Sequence, residues 1–422
     1  KGKTYKRDPD VFDTWFSSGQ WPFVTLNYPE GEEYNQFYPL SLMETGGEIL
    51  YQWVARMVML GLYITGDVPF KTVYIHGYVL AEDGAKMSKS LGNVINPLES
   101  IAEYGSDALR MGLLTGRRPG INQGYHPAKI KAGRNFANKL WNISRYVEDK
   151  VGEQPAQRVE PKAESIADHW ILKRVNDTSE EVAKAMENYR VSEAWELVYH
   201  FIWHDLADWY IETSKIAPNL SVLTYVLEAS LKLAHPFAPF LTETIWQTLQ
   251  WEHGSLLAVQ KWPPATEVDT AKAGNFQDIL EIVSEARRIN AAVKATQPTL
   301  FFRGSPVISD NSELIKRLGR LGNVLESPED KKSGMRITKP GYDIWLDIDT
   351  GMAKTYIDKL IDQKADHTAS IDKLEVRLSN PNYADKAPKQ IVDETRQQLE
   401  EERLLLVQIQ AEIDLFSKLI ES

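Results

Sequence analysis

Two sets of residues with heptad spacing, separated by a proline-bearing segment, restrict the end of this chain to one simple arrangement. Val392, Thr395, Leu399, Glu402, Leu406, Ile409, Ile413, Phe416 and Ile420 advance by alternating steps of three and four, and Ile357, Leu360, Lys364, His367, Ile371, Leu374 and Leu378 do the same. A largely apolar stripe that recurs about every 3.5 residues is the seam along which helices wind around one another. Between the stripes, Ser379 to Pro388 (SNPNYADKAP) carries two prolines, which remove backbone donors and forbid one continuous helix. The helices are expected to fold back on each other, making residues 353–422 an antiparallel coiled-coil arm.

The rest of the 422 residues is too long for one ordinary core. With 43% hydrophobic and 25% charged residues, the composition suits several folded cores. Apolar runs are short and interrupted, as Arg56 interrupts Trp53 to Leu62, so no membrane span is expected. The chain has 0 cysteines, which excludes disulfides, zinc knuckles and thiol nucleophiles and points to the cytoplasm; no protein-held metal is expected. Lys1 stands where a methionine would open a full chain, and no signal-peptide core follows, so a segment of something longer is expected. A net charge of -11 means that any nucleic-acid binding must come from local clusters.

Residues 1–127 mix strand-like and helical patterns. Thr72 to Leu80 (TVYIHGYVL), bounded by Pro69 and Asp83-Gly84, predicts a strand. Glu48 to Ile64 is apolar on nearly all sides and predicts a buried helix. Asn96-Pro97-Leu98-Glu99 predicts a helix start, with Asn96 as the cap and Pro97 in the first turn. Strand, glycine-bearing loop and helix in that order favour a parallel sheet with crossover helices. Residues 128–266 show long helical periods punctuated by Pro155, Pro161, Pro218 and Pro236, an all-helical region. Residues 267–352 alternate a helix, Ile279 to Val293, with strand candidates Thr299 to Phe302 and Tyr342 to Ile348, a small mixed α/β unit.

The sharpest chemical signal is Ala81 to Gly92 (AEDGAKMSKSLG), which places Lys86 and Lys89 on a glycine- and serine-bearing loop between strand and helix. Mobile ammonium groups suit a polyphosphate: cations that reach a departing pyrophosphate as its charge grows favour the transition state over the ground state. A bare pair of lysines on a loop is usually only solvated surface. The full pentapeptide Lys86-Met87-Ser88-Lys89-Ser90 matches the KMSKS signature and resembles that of the class I aminoacyl-tRNA synthetases. Its flanks, His76-Gly77-Tyr78-Val79-Leu80 and Gly92-Asn93-Val94-Ile95-Asn96-Pro97, look like those of the valine, isoleucine and leucine subgroup.

That resemblance implies a Rossmann-type α/β catalytic half-domain, a helical-bundle anticodon-binding domain, the small α/β unit and the coiled-coil arm. It implies that Lys86 and Lys89 act on pyrophosphate, with Ser88 beside them, and that His76 and Gly77 lie next to adenine. Gly46 and Glu48, in Thr45-Gly46-Gly47-Glu48-Ile49, would complete the ATP site, although Glu48 stands where many members carry aspartate for the ribose. Asp13-Thr14-Trp15-Phe16-Ser17-Ser18 is similar to the valine enzymes; isoleucine enzymes tend to have aspartate at the position of Ser17. Ile49 and Trp53, one helical turn apart, would then wall a small apolar pocket for L-valine together with Trp15. Without the resemblance these three would read as core.

Ala128 to Val147 contains Lys129, Lys131, Arg134, Lys139 and Arg145 and no acidic residue, with Phe136, Trp141 and Tyr146 interleaved. Cations and flat rings together suit an unpaired RNA loop, although many basic helices merely turn a charged face to water. The stretch resembles the start of the anticodon-binding domain, and the resemblance assigns Arg134, Lys139, Arg145 and Tyr146 to RNA contact. Asp208-Trp209-Tyr210-Ile211-Glu212 matches the same domain and reads as packing. In this family the arm rests on the outer corner of tRNA with Asn380 to Pro388 as its tip, and it would orient the RNA without reading sequence.

The implied activity is that of a valine–tRNA ligase using ATP and Mg2+, with tRNA(Val), L-valine and the N-terminal half of the enzyme as partners, probing no membrane and acting as a monomer. No HIGH-type motif occurs in the chain, and Lys1 to Arg7 look like the exit of an inserted editing domain. The chain alone is therefore expected not to activate valine. The alternatives are a fragment of an isoleucine enzyme and a non-catalytic tRNA-binding module.

Overall fold

The computed structural model describes residues 5–152, 160–249, 254–327, 334–337, 339–380, 383 and 389–421. They cluster into two compact units: Lys1–Glu164, Ile171–Ile211 and Pro218–Glu267 form the first, and Ser165–Trp170, Glu212–Ala217 and Val268–Ser422 the second.

In the first unit three short helices, α1 (Thr14–Ser18), α2 (Trp21–Val24) and α3 (Glu32–Phe37), precede β1 (Met43–Gly46). β1 pairs in parallel with β2 (Val73–His76), from Met43 opposite Val73 to Gly46 opposite His76. β3 (Val79–Leu80) pairs in parallel with β4 (Gln123–Gly124). The parallel arrangement expected from element order is present, in two small sheets.

The single strand expected over Thr72 to Leu80 is instead two strands broken at Gly77-Tyr78. Residues distant in sequence cause the break. Tyr78 N–H donates to Asn122 Oδ1 at 2.8 Å, and Arg117 Nη1 donates to the Gly77 carbonyl at 3.0 Å. A Cβ on Gly77 would stand 1.9 Å from the Ile121 carbonyl oxygen, so only glycine admits this approach of two backbones.

Glu48 to Ile64 is helical but not uniform, running from a 3-10 turn (Gly47–Ile49) through a π segment (Leu50–Ala55) into α4 (Arg56–Thr65). Burial is also one-sided. Val54 and Met57 join Met43 and Phe70 in a cluster over the β1–β2 pair, whereas Tyr51 is 81% exposed and Met59 and Tyr63 also face solvent. The all-round apolar pattern thus exceeds what these strands cover. At α5 (Pro97–Tyr104) the expected start is found: the Asn96 side chain accepts from Leu98 N–H, and Asn96 Nδ2 donates to Glu99.

Beyond α6 (Ser106–Leu114), the regular elements of the first unit's described residues are helical apart from β4: α7 (Pro127–Val151), most of α8 (Ile166–Glu187), α9 (Val191–His200), the π segment Phe201–Tyr210, α11 (Leu220–Ala234) and α12 (Pro239–Leu249); α10 (Ile211–Ser214) follows the π segment and passes into the second unit. Asp107 of α6 ties two parts of this unit together by accepting from the Phe240 and Leu241 N–H groups at the start of α12, at 3.4 and 2.6 Å. Burial pushes the Asp107 carboxyl above its ordinary range despite those bonds.

The second unit contains α13 (Thr270–Val293), capped by Asp269, and a four-stranded sheet in the order β6-β5-β8-β7. Its strands are β5 (Thr299–Arg303), β6 (Asn323–Glu326), β7 (Met335–Ile337) and β8 (Asp343–Leu346), with α14 (Pro306–Asp310) and α15 (Ser312–Gly319) between the first two. β5 and β6 run parallel; the other pairs are antiparallel.

Two long helices follow, α16 (Thr350–Ser379) and α17 (Lys389–Glu421). They lie side by side in opposite directions, since Tyr356 meets Glu412, His367 meets Glu402 and Glu375 meets Arg403. The heptad positions are the protected ones: Leu360, Ile371, Leu374, Val392, Thr395, Leu399 and Phe416 are buried. Both prolines of the intervening segment lie outside the described residues, as does most of the expected tip.

Three of the polar seam residues bond across the interface, Lys364 with Gln410 and His367 with Glu402, while Thr395 bonds Tyr383. The bond from His367 holds the Glu402 carboxyl below its ordinary value of 4.5. A depressed folded-state value means the stabilisation is complete above the unfolded value and is lost as pH falls through the folded one. Melting followed by circular dichroism should therefore drop on acidification below pH 4.5, and Glu402→Gln should remove part of that dependence; an unchanged pH profile in the variant would exclude the pair as its source.

Candidate functional site

The lysine loop begins where β3 ends at Leu80. Ala81 N–H donates to the Ala85 carbonyl across a turn at Asp83-Gly84. Asn93 then staples the loop: its Oδ1 accepts from Ser88 N–H at 2.9 Å and its Nδ2 donates to the Lys86 carbonyl at 3.3 Å. Met87 turns inward against the cluster of Ala108, Leu109, Tyr125 and Ile130. One apolar anchor between two lysines leaves both ammonium groups outside. Ser88 bonds Ser90 through their hydroxyls at 3.1 Å. Lys86 Nζ lies 3.3 Å from Glu48 Oε2, while Lys89 is exposed and, among the described residues, makes no ion pair.

Register brings Gly46 and His76 together at the carboxyl ends of β1 and β2. His76 Nε2 is 3.5 Å from Glu44, and its ring meets Tyr78 edge-on at 6.1 Å. Glu48 follows two residues beyond β1, at the exposed 3-10 turn. The Tyr78 hydroxyl first, and Lys86 second, hold the Glu48 carboxyl below the usual carboxylate range. The structure thus gathers Gly46, Glu48, His76, Gly77 and Lys86 into one place, as expected from the sequence. It adds Tyr78, which sequence reasoning passed over although a residue two beyond His76 on an extended run shares its face.

Trp15, Ile49 and Trp53 are each half-buried. Trp53 Nε1 donates to the Ser18 carbonyl at 3.0 Å, which seats Trp53 against α1. Ile49 lies in the 3-10 turn and Trp53 in the π segment. The regular α-helix assumed in placing them one turn apart is therefore not the element that carries the two residues.

On α7 the basic residues separate into distinct environments. Arg134 and Arg145 are exposed, Arg134 with its guanidinium 5.6 Å from the Tyr104 ring. Lys139 is engaged within the protein, 2.7 Å from Asp208 and 4.1 Å from the Trp203 ring centroid. Tyr146 is half-buried beneath Lys150. Of the three interleaved rings, Phe136 is 0% exposed and stacks on Tyr199 at 5.5 Å, so it is core and unavailable to a base; Trp141 is exposed. Tyr210 and Ile211 are buried, the packing expected of their segment. Asp208, by contrast, holds Lys139.

A cleft of about 490 Å³ is lined in part by Tyr74, Arg117, Arg118, Tyr189 and Glu196. Burial lowers the Arg117 guanidinium from its ordinary value. Its bond to Gly77 makes this arginine a wall of the cleft and a brace of the strand break at once.

Comparison with known proteins gives three family matches along the chain. Residues 1–120 match tRNA synthetases class I (I, L, M and V), residues 168–299 the anticodon-binding domain of tRNA ligase, and residues 356–410 the valyl tRNA synthetase tRNA binding arm. The second match begins after α7 and runs through α13. The valine–tRNA ligase of Staphylococcus saprophyticus is 36% identical over 431 residues, covering 94% of this chain and 48% of that protein. That of Thermotoga maritima is 36% identical over 426 residues, covering 96% and 48%. The chain spans about half the length of the curated relatives it matches. Among solved structures, the LeuRS of Agrobacterium radiobacter K84, in a ternary complex with tRNA and LeuAMS, shares the fold with a TM-score of 0.53 at 20% identity, over 70% of this chain and 35% of that one.

Proposed function

We propose, from the premise that the chain belongs to the valine–tRNA ligase family of class I tRNA synthetases, that it supplies the pyrophosphate-binding loop and the tRNA-binding helices of an enzyme that activates valine. The assembled enzyme joins L-valine to ATP as valyl-adenylate, releases pyrophosphate, and passes valine to the terminal ribose of tRNA(Val). Magnesium would enter with the nucleotide and would offset the charge of its phosphates. Lys86 and Lys89 meet the leaving pyrophosphate and Ser88 supports them. Gly46, His76 and Gly77 border adenine, Glu48 takes the ribose, and Trp15, Ile49 and Trp53 border the valine side chain. Arg134, Arg145 and Tyr146 face the anticodon loop, and Lys139 joins them when RNA phosphate competes with Asp208. The four segments 1–127, 128–266, 267–352 and 353–422 divide this work, the last as a coiled-coil arm on the tRNA's outer corner.

The observation that carries this reading is the placement of Lys86 against Glu48, at the ends of two parallel strands, within a sequence that matches valine–tRNA ligases across 94% of its length. The test is reconstitution. The chain alone should show no valine-dependent exchange of pyrophosphate into ATP, and adding a polypeptide that carries the remaining half should restore it. Robust exchange by the chain alone would refute the division of labour, and tRNA binding without exchange in the mixture would favour a binding module.

A further inference from the structure

Several groups assigned to the nucleotide converge on one side chain that carries no assigned role. The Tyr78 hydroxyl crosses Gly46 so closely that a Cβ there would lie 2.6 Å from it. Its ring meets His76 at 6.1 Å and carries Lys86 Nζ 5.3 Å from its centroid. Its hydroxyl helps hold the Glu48 carboxyl below the usual carboxylate range. The backbone that carries the ring is held at both its groups, because Tyr78 N–H donates to Asn122 Oδ1 at 2.8 Å and its carbonyl accepts from Gln123 N–H at 2.9 Å. Lys86 therefore sits between an aromatic face and a carboxylate 3.3 Å away.

We infer that Tyr78 is a positioning residue that parks Lys86 on Glu48 in the nucleotide-free protein and releases it when the hydroxyls of the incoming ribose take over that carboxylate. This rests on the reading of Lys86 and Glu48 as ATP contacts. Ribose hydroxyls donate to the same carboxylate oxygens that Lys86 occupies, so nucleotide entry and lysine release compete for one acceptor. The tie is weak by its placement: the lysine and glutamate side chains are 70% and 54% exposed, and ion pairs and cation–π contacts in water hold loosely. A loose tie keeps the loop beside the site without trapping it there. A freed lysine then meets the phosphates as the bond breaks, where its charge favours the transition state.

Hydrogen exchange of the loop amides Asp83 to Leu91, measured by mass spectrometry on the nucleotide-free 422-residue chain, reads the parked state directly. Tyr78→Leu and Glu48→Gln should each speed exchange there by about threefold to tenfold. Tyr78→Phe, which keeps the ring and loses the hydroxyl, should fall between them and the parent. Lys89→Met should leave the loop's exchange unchanged, since Lys89 makes no tie. In the assembled enzyme, Tyr78→Phe should lower KM for ATP with kcat within about twofold, because a weaker tie leaves the Glu48 carboxylate freer for the ribose; a raised KM would overturn the competition. If Tyr78→Leu fails to fold, the isosteric Phe variant and Glu48→Gln decide. Unchanged loop exchange in both would overturn the parking. Loss of both lysines with no effect on pyrophosphate exchange would instead overturn the underlying reading of the site.

Discussion

Replacing Lys86 and Lys89 together by methionine in the enzyme assembled from both halves should slow valine-dependent pyrophosphate exchange by about 10³-fold, with a much smaller change in KM for ATP. The size follows from the role proposed for the two cations. Removing a single donor aimed at charge that develops in the transition state typically costs about 10²- to 10³-fold, and two groups on one short loop act on the same leaving group and do not simply add. The selectivity for kcat follows from where the side chains rest. Lys86 rests against Glu48 and Tyr78 and Lys89 is exposed, and on the proposed reading both meet the phosphates only as the bond breaks. Methionine preserves the aliphatic stem and cannot disturb Met87, whose contacts with the Ala108 cluster anchor the loop. Activity within tenfold of the parent would mean that the loop does not act on pyrophosphate. A rise in KM alone would make the lysines ground-state binders.

The contrast between what the sequence disclosed and what it hid follows the range of the interactions concerned. The seams of α16 and α17 were legible because burial repeats with the helix itself, and the residues on the alternating steps are the ones the structure protects. The lysine loop was legible because its five residues are contiguous. The break at Gly77 was not, since Arg117, Ile121 and Asn122 create it from some forty positions downstream. Lys139 belongs to the same class: nothing on α7 announces that Asp208 and Trp203 will claim its charge. Phe136 was a different failure. It stands on the stripe Ile130, Gly133, Phe136, Leu140, Ile143 and Val147 that α7 buries, so helical spacing already separated it from Trp141 and Tyr146.

That separation yields the second large effect. Phe136→Ala should destabilise the first unit by about 3–5 kcal/mol, as expected when a fully buried aromatic leaves a cavity that its surroundings refill only in part. The ring is 0% exposed, stacks on Tyr199 and meets Trp195 edge-on at 4.9 Å, so the loss includes aromatic pairing as well as area. Trp141→Ala, five residues on, should cost less than about 1 kcal/mol because its ring is 38% exposed. The order reverses for RNA. An exposed ring one helical turn from the exposed Arg145 would, on the proposed reading, stack on an unpaired base, and its removal should weaken tRNA binding by about 1–3 kcal/mol, whereas the fraction of the Phe136 variant that remains folded should bind as the parent does. Denaturant unfolding and a tRNA titration on both variants separate the two roles. Equal stability losses would erase the distinction between the two faces of α7, and RNA binding lost in Phe136→Ala at parental stability would return that ring to the RNA surface. On the proposed reading the basic face would recruit RNA only while the opposite face is locked into the bundle, and α7 would divide its rings between the two tasks.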